Sequence, residues 1–284
     1  MRAFAASVSE VFREAAARWT LIAYFALSTL FILLFAAAVN LDVVNGALAG
    51  VKLFGQSVDV GGNHIEIDKL VLGFESTFSG VLYFVGLFLA LFATAHLVPR
   101  LQEKGTIDLY LSRPIGRVPL LLSRYTGGML LAAADIAYLI GSIGAIVAWK
   151  THVFHPRFFL SGAVILFSIA TLMAFAFLIG VVTSSTAVSL MTTYALFFLA
   201  AILAFHERIA AAVSSEWTAR TVQALYWIFP KTAELGQATV VLVAGSEAPE
   251  RLAVLNHFGI FGSTALFGVA SLVLASWLFS RKDF

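Results

Sequence analysis

Six stretches of this sequence run for about 20 residues or more with almost no charge, and they decide the medium in which the chain folds. A bilayer core roughly 30 Å thick is crossed by ~20 residues of helix at 1.5 Å each. Every backbone N–H and C=O must be satisfied inside its own segment there, which leaves the helix as the spanning form. The stretches lie at 19–39, 77–98, 119–148, 158–182, 186–205 and 256–280, the third being long enough to tilt or to extend past the membrane. Composition agrees: 60% of the 284 residues are hydrophobic, only 12% are charged, and the mean hydropathy is +0.93. The expected fold class is therefore an all-α integral membrane protein, one transmembrane domain over 1–284.

The charge distribution orients the spans. Segments 1–18, 99–124 and 280–284 hold 10 Lys and Arg in 49 positions, against 8 in 94 for 41–75, 149–157 and 206–255. Cytoplasmic segments are the more basic, so both termini and the 99–118 loop are expected inside, with 40–76, 149–157 and 206–255 external. The 19–39 stretch reads as a retained span and not a signal peptide, because it is too long for an h-region and Glu10 and Glu14 precede it. Ahead of it, Phe4, Val8, Phe12, Ala15 and Trp19 recur at helical spacing, with Glu10, Arg13, Glu14 and Arg18 on the other face. An interfacial helix over 4–18 is expected.

Several function classes lose their chemistry. There is no Cys for a disulfide or a thiolate metal site, and a net charge of +2 gives nucleic acid no electrostatic footprint. No G-x-x-x-x-G-K-[ST] occurs to cradle a nucleotide's phosphates, and neither G-x-S-x-G nor H-E-x-x-H is present.

The 99–118 loop carries the most information. Gly105 ends the preceding helix, Thr106 caps a new one, Asp108 sits in its first turn, and Pro114 stops it. On these two turns Ile107, Tyr110 and Leu111 project from one side, an apolar ridge suited to a partner groove. The stretch Glu103-Lys104-Gly105-Thr106 through Leu109, then Leu111-Ser112-Arg113-Pro114-Ile115, resembles the E-K-G-T-x-x-x-L-L-S-x-P-I signature of type-2 ATP-binding-cassette membrane subunits. By this resemblance it is close to the bacterial permeases grouped with nitrous-oxide-reductase and multicopper-enzyme maturation. Tyr110 stands where that signature more often has Leu.

The resemblance implies that Glu103, Lys104, Gly105, Thr106, Ile107, Leu109, Tyr110, Leu111, Ser112, Arg113 and Pro114 form a coupling helix docked on a cytoplasmic ATPase subunit. ATP and Mg would be bound by that partner, with no cofactor in this chain and no catalytic residue of its own. It further implies a second permease copy, identical or homologous, export across the inner or plasma membrane, and short re-entrant helices within 206–255. The turn at Thr183-Ser184-Ser185-Thr186 is a candidate for a second, smaller contact with the ATPase. The alternative is a membrane scaffold or assembly factor that moves nothing.

Asp135 is the clearest ionisable group within a span. It lies 11 residues past Arg124, which is roughly 16 Å along the helix, and Tyr138 shares its face. An unpaired charge at that depth costs at least about 2.5 kcal/mol, so Asp135 belongs in the protein interior, either on a translocation path or in a structural hydrogen bond to another span. Gly141, Gly144, Gly259, Gly262 and Gly268 suit close helix approach. Residues 56–68 alternate Val58, Val60, Ile65 and Ile67 around Gly61-Gly62-Asn63, the pattern of a hairpin. His152 and His155 sit three apart, but with no third ligand in view they read as interfacial histidines and not a metal pair. A seventh span over 222–244 is opposed by Pro230, Lys231 and Glu234.

Overall fold

The structure, a computed structural model, describes residues 2–17, 19–44, 47–53, 56–58, 67–103, 116–212, 215–248 and 257–282. Helix α1 (Arg2–Ala17) leads into α2 (Thr20–Ala38) through a 69° bend. Trp19 stands at that bend with φ 60°, the left-handed conformation that lets the chain turn between the two helices. Beyond α2 come three strands, β1 (Val39–Val44), β2 (Ala47–Leu53) and β3 (Gln56–Val58), paired antiparallel in that order.

The main body begins with α3 (Ile67–Thr94), which turns at Ala95 and His96 into the short α4 (Leu97–Leu101). Next are α5 (Arg117–Thr151), α6 (Pro156–Thr183) and α7 (Thr186–Leu203). The short helices α8 (His206–Ala212), α9 (Glu216–Ile228) and α10 (Thr232–Ala244) precede the last long helix, α11 (His257–Arg281). Five helical stretches among the described residues are long and apolar enough to cross a membrane, or six when the bent α1–α2 pair counts as one span.

The hairpin expected at 56–68 falls mostly on 59–66, which lie outside the described residues; Gln56–Val58 is a strand, and Ile67, expected in the hairpin, begins α3 instead. The described sheet starts earlier, with Val39 opposite Leu53 and Leu41 opposite Val51 in the β1–β2 register. A small sheet is thus added to the helical body.

Helix α6 is the axis of the bundle, packed by α3, α5, α7, α10 and α11. Phe158, Ile165, Ile169, Leu172, Met173 and Phe177 along it are fully buried. Ser161, Ser168 and Thr171 are buried too, and each hydroxyl is satisfied by a carbonyl three or four residues back on the same helix. The outer helices are one-sided. On α2, Tyr24, Ser28, Ile32 and Phe35 turn inward at helical spacing while Ile22, Leu30, Leu33 and Leu34 are exposed. In lipid such exposure is ordinary, and it is close packing between helices that holds the bundle together.

Two tight joints position the functional regions. Ser184 closes α6 in the left-handed conformation (φ 53°), and Ser185 caps α7 by accepting from the Val188 N–H at 3.4 Å. The α9–α10 pair breaks at Phe229–Lys231, where the Lys231 N–H donates to Thr264 of α11 (3.1 Å) and the Tyr83 hydroxyl of α3 donates to the Thr232 carbonyl (2.7 Å). Each half has 13 residues, about 20 Å of helix, too short to cross alone, so no seventh span runs through 222–244.

Candidate functional site

Helices α5 and α6 run antiparallel, so the ends of the 104–115 segment, the Ser184 turn and the end of α11 gather on one face, while 152–155 lie on the other. Of the eleven residues assigned by resemblance to the partner contact, Glu103 is described. It is exposed, its N–H donating to the Arg100 carbonyl at 3.2 Å. Lys104, Gly105, Thr106, Ile107, Leu109, Tyr110, Leu111, Ser112, Arg113 and Pro114 lie outside the described residues.

What the structure resolves is how the two feet of that segment are held. On the entry side, Gln102 Nε2 donates to the Gly180 carbonyl at 2.8 Å. Its Oε1 accepts from Ser184 Oγ at 2.9 Å and from Lys282 Nζ at 2.5 Å. The Lys282 ammonium also donates to the Val181 carbonyl (2.7 Å) and to Ser184 Oγ (2.9 Å), so its three protons meet three acceptors. Partial burial lowers the Lys282 amine from its ordinary value, since leaving water disfavours the charged form. On the exit side, Arg117 Nη1 donates to the carbonyls of Lys282 (2.7 Å) and Ser280 (3.2 Å). One clasp therefore ties both feet of the segment to the ends of α6 and α11.

A second tie joins α1 to the same face. The buried Arg124 donates from Nη1 to Glu14 at 2.5 Å, Arg100 Nη1 stands 3.9 Å from the same carboxylate, and Ser7 and Ser123 hydroxyls meet at 2.7 Å. The helices nest because Gly127 leaves room for Val11. A Cβ at Gly127 would lie 2.6 Å from a Val11 methyl, well inside contact distance.

Asp135 and Tyr138 are together, and both bond to α2. Ser28 Oγ donates to Asp135 Oδ2 at 2.8 Å, and Thr29 Oγ1 and Tyr138 OH lie 2.9 Å apart. The Tyr24 hydroxyl approaches the same carboxylate short of hydrogen-bond geometry, leaving it and Asp135 Oδ1 unpaired. Asp135→Asn keeps an acceptor for Ser28 and is expected to leave thermal stability in detergent near that of the parent. Asp135→Ala strands the Ser28 hydroxyl and is expected to cost about 1–3 kcal/mol, read from the same unfolding curve.

The histidines do not pair with each other. His152 is exposed and closes α5 at φ 58°. The His155 imidazole lies between two carboxylates, Nδ1 at 2.7 Å from Glu75 Oε2 and Nε2 at 3.3 Å from Asp68 Oδ1. No group of three His, Asp or Glu residues that could hold a metal ion converges among the described residues.

Sequence reasoning did not pick out Gln102, Ser184 and Lys282 as a unit, because 82 and 180 residues separate Gln102 from its partners. The one signal is indirect: the basic 280–284 segment and the tight Thr183–Thr186 turn both stand out for other reasons.

The described helices make a polytopic helical membrane protein, with a broken helix pair before its last long helix. The sequence model described as ABC-2 family transporter protein matches residues 9–284, and the chain belongs to that family. It is accordingly an ABC transporter permease. A search of curated proteins found no match to this sequence.

Proposed function

We propose that this chain forms the substrate path of an exporter and is driven by ATP hydrolysis on a separate cytoplasmic ATPase subunit docked on 103–114. The observation that carries the reading is the clasp. A segment that receives force must be stiffly tied to the helices it is to move, and Gln102, Arg117, Ser184 and Lys282 tie this one to α6 and α11. ATPase closure would press on the segment and tilt those helices, changing the side to which a cavity between two permease copies opens. The second copy is identical or homologous, ATP and Mg reside on the partner, and this chain contributes mechanical coupling and no covalent chemistry.

The family membership and the basic face support a multi-pass protein of the bacterial inner membrane with both termini in the cytoplasm. Within the family, the 103–115 motif favours a place near the permeases associated with nitrous-oxide-reductase and multicopper-enzyme maturation. The bonds from Asp135 and Tyr138 to α2 favour a span-pinning role for both, a little away from any path.

The chain has no Cys, so an introduced one is unique. Arg113→Cys is expected to react with a membrane-impermeant maleimide in inside-out vesicles and to stay unlabelled in right-side-out ones. The reverse pattern would put the segment in the wrong compartment for an ATPase and overturn the proposal.

A further inference from the structure

On the face opposite the clasp, α6, α10 and α11 enclose a groove of about 450 Å³, within the size range of small-ligand sites. Its walls are apolar: Val164 from α6, Ala238, Val241 and Leu242 from α10, and Phe261 from α11. Its head carries one charge, Arg157, in the first turn of α6. Val164 lies seven residues further along, about 10 Å deeper, so the groove runs from headgroup level into the hydrocarbon.

Arg157 is exposed, and no carboxylate of the described residues pairs with it. His155, two residues before Arg157, is engaged by Glu75 and Asp68, and Glu247, two residues past Gly245, makes no ion pair with Arg157 among the described residues. Nor is the guanidinium stretched out into solvent. A Cβ at Gly245 would lie 1.9 Å from Arg157 Nη1, so the side chain lies directly over the end of α10, in space that only glycine leaves open. Gly245 also has φ 56°, which a side chain would strain. A cation with no ion-pair partner among the described residues is thereby held at the mouth of a groove that is mostly apolar, with Ser246 near its head.

We infer that this groove binds an anionic phospholipid, its phosphate on Arg157 and an acyl chain lying along Val164, Val241, Leu242 and Phe261. Charge selects the ligand's head, since a guanidinium recognises phosphate through paired N–H donors. Depth and wall chemistry select its tail. The site lies apart from the clasp and from the 103–114 segment, so it holds whether or not the coupling reading does.

The test uses the purified, delipidated full chain in detergent, titrated with phosphatidylglycerol, phosphatidylcholine or inorganic phosphate, with binding read by native mass spectrometry and by thermal shift. Phosphatidylglycerol is expected to bind and stabilise. Arg157→Gln is expected to bind it about fivefold more weakly, matching the roughly 1 kcal/mol of one basic residue at a membrane surface, while Arg157→Lys keeps most of the affinity. Leu242→Trp, which fills the groove and leaves Arg157 in place, is expected to lose the lipid as well. Equal binding of phosphatidylglycerol to the parent and to a folded Arg157→Gln would overturn the proposal. So would phosphatidylcholine binding as well as phosphatidylglycerol, or inorganic phosphate alone giving the full stabilisation.

Discussion

Replacing Ile107 and Leu111 together by Asp is expected to abolish co-purification of the ATPase subunit and to return its ATP hydrolysis to the unstimulated rate. On the two-turn helix that the sequence predicts, these side chains and Tyr110 form the apolar ridge that would enter the ATPase cleft. Interface anchors of this kind contribute at least ~2 kcal/mol each, and a carboxylate in their place must also be desolvated. Two such changes amount to at least about 4 kcal/mol, roughly a thousandfold in affinity, enough to empty the complex at ordinary protein concentrations. Neither position lies on a membrane span, so the chain should still insert and purify. Undiminished recovery of the ATPase would remove the ridge from any docking role.

The second large effect is expected from Glu14→Ala. It removes the Glu14 carboxylate from the buried Arg124 guanidinium and from Arg100. Breaking a buried pair by removing one member costs about 3–5 kcal/mol, and Glu14 is partly exposed (23%), so about 2–3 kcal/mol is the fitting figure. In detergent this should lower the unfolding midpoint by about 5 °C or more. The double change Glu14→Leu with Arg124→Leu should recover much of that loss, since the buried guanidinium goes with its partner and Arg100, partly exposed, can be solvated. A Glu14→Ala protein as stable as the parent would show that the Ser7–Ser123 bond and the packing of Val11 against Gly127 suffice to hold α1.

Both experiments act on one face of the molecule, and the two ties found there connect. Arg100 on α4 faces Glu14, and two residues on, Gln102 begins the clasp with Ser184 and Lys282. Helix α1 and the ends of α6 and α11 thus meet around α4 and Gln102, by an ion pair at 3.9 Å on the α1 side and by hydrogen bonds of 2.5–2.9 Å on the other.

The spans were legible in the sequence for a plain reason: crossing hydrocarbon demands length and apolarity, and both are properties of a contiguous stretch. The same holds for the bend ahead of α2, signalled by the amphipathic residues from Phe4 to Trp19, and for the break at Pro230. The pairing of Val39–Val44 with Ala47–Leu53 was not picked out in the sequence, since strand pairing depends on where α2 delivers the chain as well as on alternation. Asp135 could be assigned to the interior from its cost in lipid, but its partner could not be named, since any hydroxyl on a facing helix would serve. Ser28 is the one that helix packing brings to 2.8 Å.

By itself, then, the sequence determined the medium and the succession of apolar crossings, and it singled out a basic face and a loop suited to a partner, all of them sums over neighbouring residues. Tertiary structure alone decided that Gln102 meets Lys282, that His155 lies between Glu75 and Asp68, and that Arg157 heads an apolar groove. Those juxtapositions depend on the rotation and depth of one helix against another. In a bilayer, apolarity fixes neither quantity, because an apolar side chain is as well solvated by lipid as by a neighbouring helix.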